Sequence, residues 1–359
     1  MTVYIGIILA IIVVTFLMPW QDSKNVLIEQ KKMGLTYYKL QLFIISAILV
    51  FFAGVRYNVG ADYRQYADNF RAYCTQTLVW NKEPGIRFVS QIADKITDNY
   101  GMMFFIMSLI TVGLATYTIA RESDYYSISI LMYIFLGSWH ESFNSVRQSA
   151  AAAILFWGHR YIKERKFIKW LVVCFVAFLF HTSAIIFVPL YFVPQKQVTI
   201  KNVVVLIIIG LIAGMSYDRA FEFVSLIQGK EYVMDAYSVG HISVFRIIVA
   251  WIPILFYFLQ FYRNEAIKED NSGIHFYAMI SALSGAIILA ARYSTYLGRI
   301  VIYTDIYNTL FWASMLSKFP KSEKNTRAWI VLILFCYFIY YLNEASGQYL
   351  VNYQWIFGK

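Results

Sequence analysis

Apolar runs of near membrane-spanning length recur from the N-terminus to Leu342, with no separate soluble domain expected between them. Crossing ~30 Å of hydrocarbon takes about 20 helical residues, and a backbone facing lipid must satisfy its own hydrogen bonds. The runs lack the strict alternation of a lipid-facing barrel strand, so the pattern predicts helices. Composition points the same way: 59% of the 359 residues are hydrophobic, 14% are charged, and the mean hydropathy is +0.55. A chain of this kind is a polytopic membrane protein.

The runs cover residues 3–20, 40–55, 102–120, 126–139, 146–161, 203–217, 242–262, 274–291, 300–316 and 328–342. They predict an all-α fold with about ten full spans in a single transmembrane domain, residues 1–359. The first run has no preceding Lys or Arg and no small-residue cleavage pattern, so it reads as a retained span. Cys74, Cys174 and Cys336 lack metal-ligand spacing, and neither a zinc site nor a disulfide is expected. The formal net charge of +10 could suggest nucleic acid, but the cations collect in short loops between runs. That is the positive-inside pattern, and no nucleic-acid partner follows from it.

Residues 168–193 are long for one span and short for two. From an external N-terminus, the lysines at 24–39 and the cations at 160–169 fall inside. A single crossing at 168–193 would then put Lys196, Lys201, Arg263, Lys268 and the cations at 318–327 outside, whereas a membrane hairpin returns them inside. The hairpin is the expectation, with one strongly tilted helix as the competing picture. Its tip, His181-Thr182-Ser183, would lie about 20 Å along a 13-residue leg. This topology sends a polar loop at 56–100, the turn at 140–147, a smaller loop near 218–241, and Arg292 with Arg299 to the outer face.

Residues 54–86 place Arg56, Asp62, Arg64, Asp68, Arg71, Lys82 and Glu83 beside six aromatic residues from Tyr57 to Trp80. Such a mixture suits a sugar or phosphate site, the plain alternative being an interfacial loop with an aromatic belt. Arg147 opens an apolar run, where a guanidinium needs a partner or a function; snorkelling or a pair with Glu141 would also serve. Arg292 and Arg299 flank a short turn able to grip a diphosphate or lipid head groups. Asp62 and Glu83 are the first carboxylates to consider as a general base, and His181 the second. Salt bridging and a satisfied structural histidine are the ordinary alternatives. No zinc-protease helix, G-x-S-x-G elbow, phosphate-cradling G-x-x-x-x-G-K or D-x-D pair is present.

Four stretches match one pattern in order: Arg56-Tyr57-Asn58-Val59-Gly60-Ala61-Asp62-Tyr63 with Tyr66 and Phe70, then Glu83-Pro84-Gly85, Asn144-Ser145-Val146-Arg147-Gln148, and His181-Thr182-Ser183-Ala184. Together they resemble the EpsG family of Wzy-like exopolysaccharide and O-antigen polymerases. The resemblance implies a bacterial cytoplasmic-membrane enzyme, with its active site on the external face, that joins oligosaccharide repeats carried on undecaprenyl diphosphate. It also implies a fold similar to multi-span, metal-independent glycosyltransferases of the GT-C kind. No cofactor or metal is implied; membrane lipid, a flippase and a chain-length regulator are the expected partners.

In such a reaction an acceptor hydroxyl attacks the anomeric carbon and the lipid diphosphate departs. Arg56, Arg147, Arg292 and Arg299 are the candidates for holding the diphosphate. Asp62, Glu83 and His181 are the candidates for proton transfer, and Tyr57, Tyr63, Tyr66, Trp80, Asn144 and Gln148 those for the sugars. A flippase of lipid-linked oligosaccharide would call for internal repeats and broken midplane helices. A glycan ligase would use nearly the same chemistry, and a membrane acyltransferase would need a second catalytic neighbour for His181.

Overall fold

The computed structural model describes residues 1–16, 34–75, 77, 83–216, 219, 222, 242–269, 273–293, 295–319, 324–347 and 352–357. Regular structure among these residues is helical, and the one β feature is an isolated antiparallel bridge between Arg56 and Trp355.

The expectation of about ten full spans plus a membrane hairpin is not met. Three helices among the described residues are long and apolar enough to cross a membrane: Tyr100–Glu122, Val244–Phe261 and Arg327–Ala345. Several of the other apolar runs form shorter helices because local geometry stops them early. Tyr126–Phe135 ends after 10 residues at Gly137, whose φ of 85° takes the left-handed turn that closes a helix. At 1.5 Å per residue it rises only about 15 Å. Val146–Gly158 ends after 13 residues. Residues 168–193 divide into the α-helix Phe167–Phe180, an extended His181, and a 3-10 segment, Thr182–Phe192, that contains Pro189.

The chain forms two compact units, residues 1–191 with 312–359, and residues 192–311. The first contains α1 (Thr2–Phe16), α2 (Gly34–Gly54), α3 (Tyr63–Asp68), α4 (Phe70–Thr75), α5 (Pro84–Ile96), α6 (Tyr100–Glu122), α7 (Tyr126–Phe135), α8 (Ser138–Asn144), α9 (Val146–Gly158) and α10 (Phe167–Phe180). Helix α6 is central and packs against α2, α5 and α9. Its N-cap, Asn99, accepts the Gly101 N–H at 2.7 Å. Two hydroxyls pin α6 to α2 within apolar surroundings: Ser108 donates to Val50 O at 2.7 Å and Ser46 to Thr116 Oγ1 at 2.9 Å. The small residues Ala150–Ala153 of α9 are all buried and let it approach its neighbours closely.

Helix α10 packs on α9 and α5, and the chain then doubles back after His181. Trp170 Nε1 donates to Val188 O at 3.1 Å, and the Phe167 and Tyr191 rings lie 4.9 Å apart. Tyr63, Tyr66, Phe70, Ile86, Val89, Met103, Phe104 and Val146 form one buried cluster.

The second unit contains α11 (Ile200–Met215), α12 (Val244–Phe261) and α13 (Ile274–Ala290), with α13 packed against both of the others. Thr199 and Asn202 form a capping box at the start of α11. A Cβ on Gly210 would lie 2.6 Å from Ala286 O, so the absent side chain sets the α11–α13 approach. The loop expected near 218–241 lies outside the described residues except for 219 and 222.

Candidate active site

The motif that follows α2 is held from inside the protein. Arg56 is 2% exposed, and its guanidinium donates to three backbone carbonyls: Ala53 O, Val59 O at 3.3 Å and Phe143 O at 3.3 Å. The rings of Phe143 and Phe104 lie 4.8 and 4.9 Å from its Cζ. Burial lowers its pKa to about 10, which leaves it cationic at neutral pH. Gly60 has φ 105°, and a Cβ there would collide with Phe143 O. Asn144 Oδ1 accepts the Ala61 N–H at 2.8 Å, so the segment before α9 and the loop after α2 are joined twice.

Three polar side chains meet beside this loop. Glu83 is the N-cap of α5, with Pro84 in the first helical position and Gly85 behind it. A Cβ on Gly85 would lie 2.9 Å from both Leu179 O and the Phe180 ring. Glycine therefore lets the start of α5 press against the end of α10, which is where His181 follows. His181 Nδ1 lies 2.7 Å from Glu83 Oε1, and the Thr182 N–H donates to the same oxygen at 3.1 Å. Arg147, in the first turn of α9, donates through NH1 to Glu83 Oε2 and through Nε to Tyr66 OH at 3.2 Å.

Exposure grades across the group: the Glu83 side chain is 7% exposed, that of Arg147 23% and that of His181 25%. The carboxylate is interior, with its two partners at the rim. Burial raises the Glu83 pKa, but the His181 bond, the Arg147 charge and the Thr182 N–H outweigh it and hold the carboxyl below its usual range. The carboxylate thus bonds a guanidinium through one oxygen and an imidazole through the other.

The remaining sequence candidates fall in several places. Asp62 is half-buried at the start of α3. Tyr63 is buried and stacks on Phe104 at 4.4 Å, Tyr57 is half-buried with its ring 6.1 Å from Tyr63, and Tyr66 is buried beneath Arg147. Gln148 is buried and Asn144 half-buried. Trp80 lies outside the described residues. Arg292, in a 3-10 turn, and Arg299, on the helix α14 (Thr295–Ile300), are exposed on the second unit. No three His, Cys, Asp or Glu side chains gather as a metal-holding group among the described residues.

Two contributors escaped the sequence reading. The Thr182 N–H is a backbone donor and leaves no mark in residue identity. Residues 352–357 return to the loop through backbone bonds, Tyr57 N–H to Gln354 O at 2.8 Å and Ile356 N–H to Val55 O at 2.9 Å. Tyr353 adds a bond from its hydroxyl to Phe52 O at 2.7 Å.

The model of the EpsG family matches residues 39–355, a range that contains the loop after α2, Glu83, Arg147 and His181. No curated protein and no solved structure matches the chain.

Proposed function

We propose, starting from the fact that this chain belongs to the EpsG family, that it is a membrane polysaccharide polymerase acting on lipid-linked oligosaccharide repeats. The reaction is glycosyl transfer from an undecaprenyl-diphosphate donor to a sugar hydroxyl of an acceptor repeat, on the outer face of the bacterial cytoplasmic membrane. The observation that carries the reading is the enclosed Glu83 holding Arg147 and His181 together at a half-open rim.

That arrangement suits a departing diphosphate. Arg147 gives NH1 to Glu83 and Nε to Tyr66, and no described group engages its NH2, which leaves donors for phosphate oxygens. Preorganised donors aimed at developing negative charge contribute roughly 10²–10³ in rate each. Arg56, whose nitrogens all meet carbonyls, positions the loop. Arg292 and Arg299, on the second unit, are separate phosphate-binding candidates by residue type. Tyr57, Asn144 and Trp80 are the sugar-facing candidates, while the buried Tyr63, Tyr66 and Gln148 have supporting roles.

Incubation of the purified protein with a lipid-diphosphate-linked repeat tests this reading, and a ladder of lengthening products is expected. Transbilayer movement of unextended substrate in vesicles would make it a flippase. A single transfer onto an unrelated lipid or glycan, without a ladder, would make it a ligase.

A further inference from the structure

We propose that Nε2 of His181 takes the proton of the attacking sugar hydroxyl, with Glu83 as the positioning residue that orients the ring. This assignment rests on the glycosyl-transfer reading above and narrows it to one atom.

The argument begins with what Glu83 can still do. Its Oε1 accepts from the Thr182 N–H and faces His181 Nδ1, and its Oε2 accepts from Arg147. With a side chain 7% exposed, it has no open face for a substrate hydroxyl. The same bonds settle the histidine tautomer. An ionised carboxylate only accepts, so the hydrogen of the 2.7 Å contact belongs to Nδ1. In the neutral ring Nε2 then carries the lone pair, and no described group engages it.

The ring is also anchored at its backbone. His181 is extended, its N–H donates to Ala177 O at 3.0 Å, and its carbonyl accepts from Ala184 N–H at 3.0 Å. The side chain remains a quarter exposed, and the carboxylate that holds it through one oxygen holds Arg147 through the other. An acid–histidine pair of this form holds the tautomer and stabilises the imidazolium once it forms.

The step balances without further reactants. The acceptor oxygen forms a bond to the anomeric carbon while its O–H proton moves to Nε2. The bond from the anomeric carbon to the phosphate oxygen breaks, and its electron pair leaves with the lipid diphosphate. The imidazolium proton then passes to water or to the released diphosphate.

The test uses the full chain in detergent with a lipid-diphosphate-linked repeat, following both product ladder and donor binding. His181→Gln can keep a hydrogen bond to Glu83 but cannot act as a base, and it should lose at least about 10²-fold in rate while still binding donor. His181→Ala should lose as much, and added imidazole should restore part of the ladder. Activity of His181→Gln within a few-fold of the unaltered protein, or no recovery of His181→Ala with imidazole, would overturn the assignment and leave the polymerase reading intact. Failure of the unaltered protein to extend the repeat would remove both.

Discussion

Gly85 meets the Leu179 carbonyl so closely that a single added carbon would lie 2.9 Å from its oxygen. This contact joins the start of α5 to the end of α10 and so sets the distance between Glu83 and His181, residues 98 positions apart. The site is therefore as sensitive to a methyl group behind it as to any charge within it.

Gly85→Ala should push α5 and α10 apart, at a cost of about 1–3 kcal/mol for overpacking. Misplacement near 1 Å can cost roughly 10² in rate, so polymer should fall far more than protein level does. Membrane-fraction immunoblots beside polymer length check this; normal polymer would show that the approach is not critical.

Arg147→Lys keeps the charge and loses the fork that reaches Glu83 and Tyr66 together, and chain growth should drop by about 10²-fold or more. Arg147→Ala should cost about 1.5–3 kcal/mol in stability as well, because the enclosed Glu83 would lose its guanidinium partner and keep only the bonds from His181 and Thr182 on its other oxygen. Glu83→Gln in that background should recover part of the loss. Melting of the single and double variants in detergent measures the coupling, and strict additivity would contradict the pair as described.

Acid should release the same pair. The folded-state pKa of Glu83 is depressed, so its contribution is fully present above the ordinary carboxylate pKa of ~4.3 and is lost as pH falls through the lower folded value. Between pH 8 and pH 5 the site should hold. Below about pH 4.3 thermal stability should fall more steeply in the unaltered protein than in Glu83→Gln, which lacks the titrating group. Parallel curves for the two proteins would show that Glu83 is not stabilised as an anion.

The C-terminal return should matter to a site it does not enter. Ending the chain at residue 351 removes the bonds to Val55, Tyr57 and Phe52 that support the Arg56 loop. Activity should be lost while insertion persists. Gly101→Val offers a milder check, since a Cβ at Gly101 already meets Ile356 Cδ1 and a larger side chain would displace the tail. Full activity after truncation would show that the loop stands without it.

The family signature was legible in short motifs, yet the same motifs hid the direction of their side chains. Arg56 and Arg147 read alike in sequence as cations near an apolar boundary. One is enclosed and bonded to carbonyls, and the other sits at the rim with Glu83. Residue identity records the presence of a guanidinium and says nothing of whether it turns inward. The span count failed for a related reason, because hydropathy does not register where Gly137 or His181 takes a backbone angle that ends a helix.

The sequence by itself determined that this chain is an all-helical membrane protein of the EpsG family, since apolar run length and local motifs are properties of neighbouring residues. Only the tertiary structure decided which helices are long enough to cross and which charges meet. Glu83, Arg147 and His181 come from three separate segments, and their meeting depends on glycine-sized approaches and backbone hydrogen bonds that act across long stretches of chain.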